Sequence, residues 1–302
     1  MSEAKPSGHE RPEAESRHQN AGLDAPRSTL DARRALLGRL IDHAALFPPA
    51  SLDMPDAISA DRAARASEHA WMLDRFICPA ARLEELPDDV PALAVVLTHG
   101  EDDLEAVIGA QAAGRPIALI EARPPDATWI PDTQALVRRT LGPGVQTFWE
   151  LDPGRGLAGE VAAVREAGAG AKVRCGGTAF PSVEKVAAFV AACRDAGVRF
   201  KATAGLHHAI RRPDMHGFLN LLAAAVFAHA DGLGERELAA LLAEEDPAAF
   251  AVTADGLEVH GRRAGAAAIA AARAELFVAY GSCSFTEPVD DLRQLGIWGQ
   301  TP

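Results

Sequence analysis

Residues 171–208, AKVRCGGTAFPSVEKVAAFVAACRDAGVRFKATAGLHH, concentrate the side chains able to do chemistry. Lys172 and Arg174 lie in one short strand-like run, followed by Cys175, Gly176 and Gly177. Lys201 and Thr203 lie in a second, followed by Gly205, His207 and His208. The chain has only four lysines (Lys5, Lys172, Lys185 and Lys201) among 30 basic residues. In a chain that prefers arginine, a lysine inside a strand suggests that arginine would not serve there. An amine can lose its proton and attack a carbonyl, which a guanidinium effectively cannot. Two cations sharing a site also disfavour each other's charge, which would leave one amine neutral and nucleophilic. Lys172 and Lys201 are therefore catalytic candidates, with Glu121 and Glu150 as acid/base partners and Arg174 as a clamp for a carboxylate or phosphate. The competing reading is a structural network in which the two glutamates neutralise the cations.

These residues need a scaffold that gathers strand ends. Short apolar runs at 44–47, 76–78, 93–97, 116–121 and 146–151 precede the two focal runs, and 277–285 offers an eighth. Helical stretches separate most of them. That rhythm predicts βα repeats and a parallel sheet, closed as a TIM-like (β/α)8 barrel whose ligand site is at the carboxyl ends of the strands. No GxGxxG or GxxxxGK[ST] follows the first strand, so a nucleotide-binding sheet lacks its phosphate loop. Lys172 and Arg174, two apart on a strand, share a face. Facing outward they would meet the helix layer, so they are expected to face inward. Gly176, Gly177, Thr203, Gly205, His207 and His208, with Ser282 and Ser284 from the last strand and its loop, are the substrate-binding candidates.

The chain is 302 residues long, 48% hydrophobic and 5% aromatic, with a net charge of −12. The charge argues against non-specific nucleic-acid binding. No apolar run approaches the roughly 20 residues that span a bilayer, and no secretory signal is visible. Cys78, Cys175, Cys193 and Cys283 are far apart in sequence, the usage of a reduced, cytoplasmic protein. Residues 1–27 are polar and mixed in charge and read as a disordered tail. Ser28-Thr29-Leu30-Asp31 has capping-box spacing and opens a single barrel domain over 28–302. After His208 come apolar helices at 218–230 and 235–244, a hairpin at 250–260 around Asp255-Gly256, and a helix at 266–275. They form an elaborated connection between the seventh and eighth strands. Self-association is left open.

Lys172-x-x-x-Gly176, a helix, then Phe200-Lys201-Ala202-x-x-Gly205 resembles class I aldolases of the deoxyribose-phosphate aldolase kind. The resemblance implies a Schiff-base lysine at Lys172 and a pKa-lowering partner at Lys201. It covers about 38 of the 302 residues. The serine-threonine stretch of that family is Val173-Arg174-Cys175 here, and its phosphate turn is Gly205-Leu206-His207-His208. As a whole, the chain is similar to bacterial proteins of no assigned activity that carry FKATAGLHH and GSCSF.

The expectation is a cofactor-free lyase, aldolase-like, acting on a small anionic carbonyl compound. One alternative is a divalent-metal-dependent lyase or hydrolase using Asp42, His43, His207 and His208, with His99 or His216 in support. Another has Cys78, Cys175 and Cys283 meeting across the barrel mouth, although small buried thiols explain them more simply. A third is a non-catalytic protein that binds a small acid.

Overall fold

The computed structural model describes residue 1 and residues 31–99, 101–154, 156–177 and 180–296. Apart from Met1, the tail expected over 1–27 lies outside the described residues. The first helical cap is Asp31, whose carboxylate accepts the Arg33 backbone N–H at 2.8 Å and starts α1 (Ala32–Leu37). The first barrel strand, β1, is Ile41–His43 rather than the apolar run at 44–47. That run is a turn, in which the Phe47 N–H reaches the Ala44 carbonyl at 2.9 Å ahead of Pro48 and Pro49. The shift matters, because it places Asp42 and His43 within the strand on opposite faces.

The chain then alternates. Asp53 caps α2 (Met54–Ala66), and β2 (Leu73–Pro79) follows. A 3-10 turn over Ala80–Glu85 stands where a helix would join β2 to β3 (Leu93–Leu97). Next come α3 (Glu101–Ala112), β4 (Ile117–Ala122), α4 (Trp129–Leu141), β5 (Gln146–Leu151) and α5 (Leu157–Glu166). The focal segment supplies β6 (Gly170–Arg174), α6 (Val183–Ala196) and β7 (Phe200–Thr203). After β7 come α7 (Phe218–Asp231) and α8 (Glu235–Ala243), then β8 (Phe250–Val252), β9 (Gly256–Val259) and β10 (Arg262–Gly265). The chain closes with α9 (Ala266–Glu275), β11 (Phe277–Ser282) and α10 (Thr286–Gln294).

Eight parallel strands form a closed barrel in the order β1-β11-β7-β6-β5-β4-β3-β2. This is a (β/α)8 barrel with an elaborated connection between its seventh and eighth strands. That connection holds the expected hairpin, β8–β9, and a third antiparallel strand, β10, that sequence reasoning missed. β10 is only RRAG, with no apolar run to mark it. The elaboration explains α7, which is buried at every position from Phe218 to Ala228. A helix apolar on all sides needs cover on all sides, and α6, α8 and α9 pack around it. Among the described residues, no helix is long and apolar enough to cross a membrane.

Two features close the barrel. Outside the strands, Phe200 stacks on Phe277 at 4.9 Å between ring centroids and meets the edge of Phe189 at 5.4 Å. At the amino-terminal end of the strands, half-buried Arg273 on α9 donates to the Phe277 carbonyl at 2.9 Å, to Val278 at 2.7 Å and to Gly38 at 3.3 Å, and also to Leu36. One guanidinium thus ties the entry to β1 to the start of β11, the two strands that meet at closure.

Candidate functional site

Strand alternation builds the site. Lys172 and Arg174 on β6, Lys201 on β7, Glu121 on β4, Glu150 on β5 and Asp42 on β1 join in one network inside the barrel. Phe148 and Leu119 precede Glu150 and Glu121 by one inward position and belong to an apolar cluster with Ala44, Ile77 and Ala94. The charged layer therefore lies toward the carboxyl ends of the strands, above apolar side chains.

Glu121 bridges both lysines. Its Oε2 accepts from Lys172 Nζ at 3.0 Å and its Oε1 from Lys201 Nζ at 2.6 Å. Lys201 also donates to Asp42 Oδ2. Lys172 pairs with Glu150 at 3.0 Å, and Glu150 in turn meets Arg174 at 3.3 Å and Arg123 at 3.8 Å. The other Asp42 oxygen accepts the Arg75 backbone N–H at 3.0 Å. Charges alternate along the chain Asp42, Lys201, Glu121, Lys172, Glu150, Arg174. Lys201 is 0% exposed and Lys172 5%, whereas the Arg174 and Arg123 side chains are 46% and 68% exposed. The network thus runs from a sealed interior to a cationic rim.

The fold brings three carboxylates, Asp42, Glu121 and Glu150, to the two lysines. Burial alone would lower the Lys201 pKa, but Asp42 and Glu121 outweigh it and hold the ammonium above its ordinary range. Burial would likewise raise the Glu121 carboxyl, but Lys172 and Lys201 hold it at about 2. Glu150 is also lowered: Lys172, then Arg174, overcome the effect of burial. In this state Lys201 is a charged group and not a free amine.

The other candidates scatter. A Cβ on Gly176 would fall 2.7 Å from the Gly205 Cα, and one on Gly205 would fall 2.9 Å from the Gly176 Cα. These glycines let the loops after β6 and β7 touch, which is a packing reason for glycine at both positions. Ala204 and Gly205 both have positive φ, 59° and 69°, which makes the turn tight; Gly177 does too, at 84°. Thr203 is half-buried, two residues above Lys201 on the same face. The Ser282 hydroxyl donates to the Ser284 carbonyl at 2.6 Å, and Ser284 Oγ accepts from the Glu287 N–H at 3.2 Å. Both serines shape the entry to α10.

The alternative metal set is not assembled. Asp42 binds Lys201, His43 pairs with Asp61 at 3.1 Å, His207 with Glu287 at 2.8 Å and His208 with Asp291 at 3.3 Å. His99 lies beside Thr98 and Asp103, and His216 reaches the Pro181 carbonyl at 2.9 Å. Among the described residues, no group of three His, Cys, Asp or Glu is placed to hold a metal. Nor do the three thiols meet: Cys78 and Cys175 belong to two different core clusters, while Cys283 lies beside His207. Cys193 is core as expected.

Sequence reasoning missed Asp42 as the partner of Lys201, Arg123 and Arg75 as outlying cations, and the contact of Cys283 with His207. Misplacing the first strand hid Asp42. A Phe-Ile-Cys strand with an arginine before it offered no signal for Arg75.

The fold and this layer define the chain as a (β/α)8-barrel protein with a buried lysine–carboxylate chain at its strand ends. Its sequence matches no protein-family model and no curated protein.

Proposed function

We propose that the barrel is a lysine-dependent lyase acting on a small anionic carbonyl compound. The observation that carries this reading is the single carboxylate, Glu121, shared by two buried lysines at the strand ends. In a parallel barrel that end is where ligands bind. Lys172 is the nucleophile in this reading, because it is closer to the rim and flanked by two proton acceptors, Glu121 and Glu150. Lys201, held charged by Asp42 and Glu121, is a fixed cation that anchors Glu121. Arg174 and Arg123 receive the substrate's anionic group.

The substrate anion draws Arg174 away from Glu150, which frees that carboxylate to take a proton from Lys172. The neutral amine adds to the carbonyl, and Glu150 gives its proton to the departing hydroxyl, so that water leaves and a protonated imine forms. Glu150 then takes the proton of a hydroxyl on the carbon β to the imine; the bond between the α and β carbons breaks, its electron pair moves into the protonated imine, and the β fragment leaves as an aldehyde. Glu150 gives the proton to the enamine carbon, and water hydrolyses the imine to release the second product and the lysine ammonium.

Borohydride trapping tests this. The full chain is incubated with pyruvate, glyoxylate or acetaldehyde, reduced, and mapped by peptide mass. The expected adduct is on Lys172 and is absent from Lys172→Arg. Adducts spread over Lys5 and Lys185, or none with any carbonyl, would sink the reading. Anion binding without an adduct would instead favour a non-catalytic acid-binding role.

A further inference from the structure

The barrel mouth carries a second set of reactive side chains, outside the lysine network. Cys283 directly follows β11, His207 follows β7, and these strands are paired neighbours. His207 Nε2 lies 4.0 Å from Cys283 Sγ, and its Nδ1 lies 2.8 Å from Glu287 Oε2 in the first turn of α10. A thiol, an imidazole and a carboxylate so ordered are a nucleophile, its base and the group that orients the base. Cys283 also precedes the amino-terminal, positive end of α10, which stabilises negative charge that develops nearby during a reaction. The contact with Cys283 raises the His207 imidazole to about 9 against the pull of burial, with Glu287 adding to it. The imidazole is thus placed to hold a proton that the thiol gives up. The other three thiols are each 0% exposed, whereas Cys283 is 9% exposed; burial pushes Cys78 and Cys175 up to about 12.

Cys283 lines a cavity of about 400 Å³ whose wall is largely apolar, with Leu52, Ala60, Ala63, Phe285 and Val289 among its residues. His43, held through Nδ1 by Asp61, opens onto the same cavity. His207 and Glu287 line an adjoining cleft with Arg212 and His208. The thiol therefore faces space for an apolar group, and the imidazole faces space for a polar one.

We propose that Cys283 is a second nucleophile of this protein, activated by His207, which takes the acyl group of an ester or thioester whose apolar acyl chain occupies the cavity. The Sγ proton moves to His207 Nε2, and Sγ forms a bond to the carbonyl carbon. The bond from that carbon to the leaving oxygen or sulfur breaks, and His207 returns the proton to the leaving group. Water, deprotonated by His207, then releases the carboxylic acid and regenerates the thiol.

The test uses the full chain and p-nitrophenyl butyrate. The expected result is a burst of about one equivalent of nitrophenolate, with the butyryl group found on Cys283 by peptide mass mapping. His207→Asn should slow acylation at least about tenfold. Glu287→Gln changes an exposed side chain, so folding is spared, and it should slow acylation roughly threefold or more. No acylation, acylation elsewhere, or equal rates on Cys283 in the parent and both folded variants would overturn the proposal.

Discussion

Glu121 holds two ammonium groups with one carboxylate, and it does so where almost no water reaches. Its side chain is 3% exposed. Removing one partner of a buried ion pair leaves the other charge uncompensated, at a cost of about 3–5 kcal/mol. Glu121→Gln is therefore expected to lower unfolding stability by about that much in urea titrations. Little or no change would mean that the lysines find other partners. The loop glycines make a separate prediction. A methyl on Gly176 meets the Gly205 backbone, which has no rotamer with which to yield. Gly176→Ala should cost about 1–3 kcal/mol and pull the β6 loop, and with it Arg174, away from Glu150. Chemical denaturation reads the first effect and weaker anion binding the second; a neutral Gly176→Ala would contradict the close approach.

At the scale of elements, the barrel depends on joining its first strand to its last. Burial lowers the Arg273 pKa to about 10, with Asp74 and Asp42 opposing, so the guanidinium remains charged at neutral pH. It serves carbonyls from the α1–β1 connection and from β11 at once. Arg273→Met keeps much of the stem but strands those acceptors, and each buried group without a partner costs about 1–3 kcal/mol. The expected outcome is a loss of at least about 3 kcal/mol, with hydrogen exchange fastest in β1 and β11. Uniform exchange across all strands would show that Arg273 is not a local staple. This residue stabilises the amino-terminal end of the barrel, while the candidate chemistry occupies the other end, a division usual in this fold.

For the whole molecule, the buried charges set a pH window. The Glu121 pKa is depressed from 4.5 to about 2 in the folded protein. Its contribution is therefore complete above pH 4.5 and is lost as pH falls toward 2, about 3 kcal/mol in all. Lys201 is raised above 10.5, so its contribution is complete below that pH and is lost as pH rises past it. Melting temperatures followed across pH should fall on the acid side, and more steeply in the parent than in Glu121→Gln. Parallel acid limbs would show that other carboxylates govern acid unfolding.

The recurrence of short apolar strands between helices was legible because buried parallel strands need continuous apolar runs and crossover helices need amphipathic ones. Those local patterns predicted the barrel, the βαβ unit at its centre, and the common face of Lys172 and Arg174. They failed at 44–47, where two prolines turned an apolar run into a loop, and at β10, which is too short and polar to leave a trace. The lysines were legible as unusual residues, but how they would be paired was not. Asp42, Glu121 and Glu150 come from three different strands and meet the lysines only once the barrel closes. Cys283 and His207 are likewise distant in sequence and adjacent only because β11 pairs with β7. Strand identity is a local property of the chain, whereas a site built across a barrel depends on register and closure, which only the tertiary structure decides.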